Sequence, residues 1–409
     1  LRHANYLWFE ERDTEVPRER LKIEPGGWRE VLKAFGLDSH VGKNLPQRDS
    51  ATQRIILALN DDALTNLSPA AHVAVGRRLL VNVTPTITQE EINNLRGKVE
   101  DLPQAGSVKS FSVMEAQSQG IKRLGVLRMD VDNLGKLFAE GLGDEATLSR
   151  IAALSFTTSL YFEGWVGHIA RTLKENERDV LYSIYSGGDD LFFVGAWDVV
   201  VELARRIRVD LTRFAANHPG IHASAGIALA GGKYPLYQAA ADAGAAEHTA
   251  KSLKWRDEAG ERRKKDAITF LNRTLPWERF GQEGSDDADM HTVHALAHRL
   301  VQMVKLASEG GEGAPQALLQ HLIQLQQMYE KAADERRNLG EELNQAGEEQ
   351  AYWGPWMWRG HYALMRMAGK KDGEPWDTIR ILAKRLTGDS FRAIKWIGLA
   401  ARWADLLTR

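Results

Sequence analysis

The 409-residue sequence contains no cysteine. Disulfides, thiolate zinc sites, iron–sulfur clusters and a cysteine nucleophile are excluded together. The same absence suits a reducing interior, and a cytoplasmic location is expected. No run of about 18 apolar residues occurs, so no membrane span is expected. Neither sign of charge dominates: 53 basic and 55 acidic residues leave a net charge of −2. Any nucleic-acid contact must therefore come from a local basic patch, not a global field. No repeat and no signal peptide is visible. The first residue is Leu1, not Met, and the sequence reads as a C-terminal piece of something longer. What is present is ordinary for a soluble globular protein, with 43% hydrophobic and 26% charged residues. At roughly 100–200 residues per domain, the length predicts two to three domains.

Residues 1–118 mix short apolar runs with Pro and Gly. Trp28–Phe35 reads as a helix stopped by Gly36, and Arg54–Leu59 and Arg78–Val83 read as strands. Nothing in this span has catalytic spacing, and a small α+β connector is expected. Over 119–280 the pattern is β-α-β-β-α-β-α. Lys122–Asp130, Val180–Ser186, Leu191–Ala196 and Ile221–Leu229 are the strands; Leu148–Leu173, Val199–Ala216 and Leu236–Leu253 are the helices. This order predicts an α+β, ferredoxin-like (split βαβ) domain. Gly281–Asp289 reads as a linker. The remainder, 285–409, reads as an all-α domain with helices over His291–Leu306, Ala314–Arg337, Ala351–Ala368, Thr378–Leu386 and Phe391–Leu407. Trp353, Trp356, Trp358, Trp376, Trp396 and Trp403 crowd this region; a helical core uses aromatics in this way, and a docking face is the alternative.

The chemistry concentrates at Gly187-Gly188-Asp189-Asp190, between two strands. Glycine supplies the positive φ that a tight hairpin turn requires. In a split βαβ sheet the first and third strands are central neighbours, which brings Asp130 beside Asp189 and Asp190. Converging carboxylates repel unless a cation lies between them. Hard divalent cations prefer carboxylate oxygens, so Mg²⁺ or Mn²⁺ and a two-metal nucleotidyl transfer are expected. Val131–Leu137 passes from a strand end to a helix start, a place for phosphate, with Gly135 permitting close backbone approach. Lys251, with Lys264 or Lys265, is positioned to meet a triphosphate. Asp132 reads as a helix N-cap rather than a ligand. The 261–265 charge run reads as a solvated face or flexible loop, with RNA or phosphate contact as its sharper reading. His168, His222 and His248 read as ordinary packed or surface histidines.

Four segments carry a family resemblance: GIKRLGVLRMDVDNLG (120–135), YSIYSGGDDLFFVGAW (182–197), HASAGIAL (222–229) and KKDAITF (264–270). Together they resemble the second Palm domain of the large signature subunit of type III CRISPR effector complexes, most like the Csm type. The likeness is specific over about 119–275 and looser elsewhere. It implies an RNA-guided interference complex that converts ATP into cyclic oligoadenylates when target RNA binds. It also implies partners: guide and target RNA, the subunit capping the guide 5′ end, the small helical subunit, and no membrane. By resemblance, Asp130, Asp189 and Asp190 are metal ligands with the Val131 carbonyl close by. Asn133, Leu134, Gly135, Gly187 and Gly188 line the ATP site, and Lys251 and Lys265 face phosphates. The chain lacks the family's histidine-aspartate nuclease motif, first Palm and cysteine zinc knuckle. A fragment, or a second Palm supplied by another copy, would reconcile this.

Two rivals share the pattern. Diguanylate cyclases place GGDEF where this chain has GGDD followed by Leu191, and they often carry an inhibitory Arg-x-x-Asp that is missing here. A catalytically silent Palm scaffold, binding guide RNA and sister subunits, is the non-enzymatic alternative.

Overall fold

The computed structural model describes residues 4–11, 37–45, 54–59, 63, 65–67, 73–77, 81, 83–173, 178–257, 260–281, 290–338, 354–388 and 392–409. They fall into two compact units. One comprises 1–84, 143–172 and 185–189; the other comprises 85–142, 173–184 and 190–409.

The first unit contains a four-stranded sheet. β1 (Tyr6–Glu11) lies antiparallel between β2 (Leu37–Gly42) and β3 (Arg54–Ala58), and β4 (Val73–Arg77) pairs parallel to β3. Tyr6, Trp8, Ile56, Ala58 and Ala63 form its core. β3 is the strand expected at Arg54–Leu59. The strand expected at Arg78–Val83 falls mostly outside the described residues, as does the Trp28–Phe35 helix. The helix expected over Leu148–Leu173 is not continuous. It is α-helical over Leu148–Ser159 and Val166–Thr172, with a π-helical turn at Leu160–Trp165 between them. A π turn re-aims carbonyls, and here the Ser186 hydroxyl donates to the Phe162 carbonyl at 2.6 Å.

The main sheet, whose strands belong to the second unit apart from residues 185–187 of β6, has the order β12-β11-β8-β5-β7-β6. Its strands are β5 (Leu124–Val131), β6 (Leu181–Gly187), β7 (Asp190–Ala196), β8 (Ala223–Ala230), β11 (Ala267–Phe270) and β12 (Arg273–Pro276). Strands β5 to β8, in the order β8-β5-β7-β6, have the split βαβ arrangement, with the first and third adjacent at its centre, in agreement with the α+β, ferredoxin-like expectation. β11 adds parallel to β8, and β12 turns back beside it, an extension that the four-strand reading did not contain.

Alternation along β5 sends its even-numbered side chains to one face and its odd-numbered ones to the other. On the even face Leu124 and Val126 pack with Ala239 and Ala243 of the Leu236–Ser252 helix. On the other face a Cβ at Gly125 would run into Trp197 and Val200, so the Trp197–Phe214 helix lies close against the strand there. After the Leu236–Ser252 helix, β9 (Lys254–Arg256) and β10 (Arg262–Lys264) form a small antiparallel hairpin. The 261–265 charge run is thus largely paired strand and not a flexible loop: charged side chains point outward while the backbone is satisfied by its partner.

The helical end of this unit consists of Val293–Ser308, Ala317–Asn338, Pro355–Ala368, Glu374–Gly388 and Ile397–Thr408. The crowded tryptophans are mostly core: Trp356, Trp376, Trp396 and Trp403 are buried, whereas Trp358 is 59% exposed. Trp353 lies outside the described residues, as does the expected linker apart from Gly281. Phe280 stacks on Trp403 at 5.4 Å, and Phe270 meets the same indole edge-on, joining the sheet to the last helix. Among the described residues no helix is long and apolar enough to cross a membrane.

Candidate active site

Asp130, in the last turn of the pleat before β5 ends, is in direct register with Asp190, the first residue of β7. Cross-strand partners in an antiparallel pair have Cβ atoms about 5 Å apart, and like charges placed there are destabilising. The structure compensates with two cations. Lys251, in the final turn of the Leu236–Ser252 helix, is ion-paired through Nζ with Asp130 Oδ2. Arg128, two residues before Asp130 and therefore on the same face of β5, donates from Nη2 to Asp190 Oδ2 at 3.1 Å.

A third carboxylate joins these pairs. Glu247 precedes Lys251 by one helical turn, and its Oε1 lies 3.2 Å from Lys251 Nζ. Its Oε2 lies 3.8 Å from Arg128 Nε. Burial pushes the Glu247 carboxyl above its usual range, with Arg128 pulling it back and Asp190 and Asp132 adding to the rise. Burial also lowers the Lys251 ammonium, and the like charges of Lys265 and Arg128 act in the same direction. The centre is therefore an open chain of alternating charge, Asp130–Lys251–Glu247–Arg128–Asp190, in which carboxylates outnumber cations three to two.

The remaining expected residues take distinct places. Gly188 and Asp189 form the two-residue turn between β6 and β7, with Gly188 at φ +67° and Gly187 ending β6. Val131 is the last residue of β5, opposite Ala223. Leu134 opens a seven-residue helix, Leu134–Glu140, and open space surrounds the position of a Cβ at Gly135. Asn133 stands just before that helix in the left-handed conformation at φ 61°, and its side chain makes no capping hydrogen bond. Instead Asn133 Oδ1 accepts from Lys265 Nζ at 2.8 Å. Lys264 points outward from β10.

Asp132 is not the N-cap. Its side chain is fully buried, and Oδ2 accepts from His222 Nδ1 (2.6 Å), Ser224 Oγ (2.9 Å) and the Asp266 backbone N–H (3.0 Å). The capping position passes one residue on, to Asn133, because Asp132 is drawn inward onto β8. Asp266 in turn holds Arg208 through two short bonds, 2.7 and 2.9 Å. His222 is thus a partner of this buried carboxylate; His168 lies against Trp165.

One further grouping escaped the sequence reading. Glu202, His294 and His298 bring one ligand atom each within 4.8 Å of one another, an arrangement able to hold a metal ion. The His-x-x-x-His spacing on one helix was its visible signal. Here Arg205 Nη1 already lies 2.5 Å from Glu202 Oε2 and 2.6 Å from His294 Nε2, so a guanidinium supplies the countercharge.

The donor set at the strand ends suits a hard divalent cation. Asp130 and Asp190, in direct cross-strand register, offer carboxylate oxygens at one place on the sheet, and an ammonium already stands on one of them as a surrogate positive charge.

The chain is similar to known proteins in sequence and in fold. Residues 123–260 match the model of the Cas10/Cmr2 second palm domain. A stretch of 168 residues is 38% identical to the single-strand-specific deoxyribonuclease Cas10/Csm1 (subtype III-A) of Methanocaldococcus jannaschii, covering 39% of this chain and 21% of that protein. The protein of the same description from Enterococcus italicus is 41% identical over 133 residues, covering 32% of this chain and 17% of the relative. The aligned stretches therefore span about a fifth of these relatives. Among solved structures, the Csm1–Csm4 cassette in complex with pppApApA superposes with a TM-score of 0.56 at 18% identity, covering 91% of this chain and 46% of that one. The same cassette in complex with cA4 gives 0.54 at 18% identity, covering 91% and 46%. Over residues 123–260, then, this chain is similar to the Cas10/Cmr2 second palm domain.

Proposed function

We propose that this chain supplies the ATP-polymerising Palm of a type III-A CRISPR interference complex, making cyclic oligoadenylates when target RNA is bound. The direct register of Asp130 with Asp190, next to the Gly188–Asp189 turn, carries this reading. It is supported by the palm match over 123–260 and by the fold shared with cassettes solved with one ATP and with cA4. Guide and target RNA, the Csm4-like subunit and the small helical subunit are its proposed partners.

Asp130, Asp189 and Asp190, with the Val131 carbonyl, would hold Mg²⁺ or Mn²⁺. Bound there, the cation supplies charge stabilisation for transfer at an α-phosphorus. The reaction joins a ribose hydroxyl oxygen of one ATP to the α-phosphorus of another. The bond from that phosphorus to the β-phosphate oxygen breaks, pyrophosphate leaves, and the hydroxyl proton passes to solvent. The chain's own part is positioning. Gly135 and Gly188 leave room for close backbone approach, Asn133–Gly135 and Gly187–Gly188 line the nucleotide, and Lys251 and Lys265 meet its phosphates.

The test is the assembled complex incubated with radiolabelled ATP, Mn²⁺ and cognate target RNA. Oligoadenylate formed by the native complex and abolished by Asp189→Ala with Asp190→Ala, while RNA binding persists, is the expected result. RNA binding without any product would assign the chain to the scaffold role, and consumption of GTP in place of ATP to a dinucleotide cyclase.

A further inference from the structure

Lys251 is bound to the wrong partner for a phosphate ligand. It is ion-paired with Asp130, the same carboxylate proposed to hold the divalent cation, so the ammonium competes with a cation for that oxygen. A second carboxylate, Glu247, lies 3.2 Å from the same nitrogen, one helical turn behind it. Glu247 is absent from the ligand set and has no place in the proposed chemistry, yet it is buried to 9% exposure on an otherwise alanine-rich face. The sequence spends a glycine to bring it there. Gly226, opposite Arg128 on β8, lets the helix backbone rest directly on the sheet at Ala246 and Glu247.

We propose that Glu247 is a positioning residue that exchanges Lys251 with Asp130. Before cation binding, Lys251 sits on Asp130 and keeps the two opposed carboxylates from repelling. When a divalent cation displaces it from Asp130, Lys251 keeps Glu247, 3.2 Å away, as its one carboxylate partner and stays beside the strand ends as a positive charge available to phosphate. The geometry favours a short move: Lys251 is in the last helical turn, its side chain is 24% exposed, and a four-carbon stem carries the ammonium. The other charges facing this space are Asp190, Arg128 and Lys265. Arg128 donates to Asp190 and reaches Glu247 only at 3.8 Å, which leaves Lys251 as the cation shared by Asp130 and Glu247.

This inference rests on the reading of Asp130 as a cation ligand, and the experiment separates the two. Mn²⁺ affinity is measured from the free-ion EPR signal for the complete chain and for Lys251→Met, Glu247→Gln, the double variant and Asp130→Asn. Lys251→Met should bind Mn²⁺ about three- to tenfold more tightly, because the competitor is gone. Glu247→Gln should weaken binding where Lys251 is present, since the displaced ammonium has lost its destination, and should have little effect in the Lys251→Met background. Such non-additivity is the signature of exchange, because a carboxylate acting only through its charge would shift both backgrounds equally. Equal shifts, or Mn²⁺ binding by Lys251→Met no tighter than by the native chain, overturn the exchange even if Asp130→Asn abolishes binding. Unchanged Mn²⁺ binding by Asp130→Asn overturns the ligand reading and the exchange with it. Lys251→Gln serves as a second variant with the same expected direction.

Discussion

Gly226 and Glu247 meet backbone to backbone: a Cβ on the glycine would fall inside contact distance of the Glu247 nitrogen and 2.7 Å from the Ala246 carbonyl carbon. No flexible side chain is available there to yield. Gly226 sits in the middle of β8, paired with Arg128 on one side and Thr269 on the other, so the strand cannot shift either. Gly226→Ala is expected to push the 236–252 helix away from the sheet and to cost about 1–3 kcal/mol, with Gly226→Val costing more. Urea denaturation of the complete chain checks this, and an unchanged midpoint would mean that the helix does not rest on the strand at this point.

Asp132 holds together three segments that share no local sequence: the end of β5, the start of β8 and the loop before β11. Its Oδ2 takes all three donors, and removing it leaves the His222 ring, the Ser224 hydroxyl and the Asp266 N–H unmatched in the interior. Asp132→Ala is expected to cost about 3–5 kcal/mol, as breaking a buried charged network does. Ser224→Ala, which deletes one donor and leaves the acceptor with two, should cost about 1 kcal/mol. A thermal-unfolding series of the two variants tests the order. Equal losses would refute a shared hub and reduce Asp132 to a single hydrogen-bond acceptor.

The parts of the site legible in the sequence are those that strand order alone dictates. Once β5, β6, β7 and β8 are read as a split βαβ unit, Asp130 must lie against the start of β7, and it does. The acidic hairpin and its two glycines are equally local, because a positive φ at Gly188 is a property of the turn itself. What was not legible depends on which way a side chain turns at the boundary of an element. Asp132 and Asn133 are both good capping residues, and only the pull of His222 and Ser224, some 90 positions away, sends the first inward and leaves the second at the helix start. Glu247 was invisible for a related reason. A glutamate four residues before a lysine reads as an exposed helical ion pair, and nothing local reveals that Gly226 brings that face onto the sheet. The β9–β10 pairing was not legible because its run of charges, expected as a solvated face or flexible loop, suits solvent whether or not the backbone is paired.

Glu202 gives the clearest dependence on pH. Burial pushes its carboxyl up, but the hydrogen bond with His294 and the charges of Arg205, His294 and His298 outweigh that and bring it down to about 2. A carboxyl whose folded value lies below its ordinary one stabilises the fold fully above the ordinary range and loses that contribution as pH falls toward the folded value. The window is therefore from 4.5 down to about 2. The shift corresponds to at most about 3 kcal/mol, and less in practice because the side chain is 28% exposed and solvent screens it. Glu202→Gln should lower the urea midpoint at pH 6 and have little effect at pH 2, so the native and variant curves converge as acid is added. A gap that stayed constant from pH 6 to pH 2 would show that Glu202 contributes through packing or neutral hydrogen bonding and not through its charge against Arg205 and the two histidines.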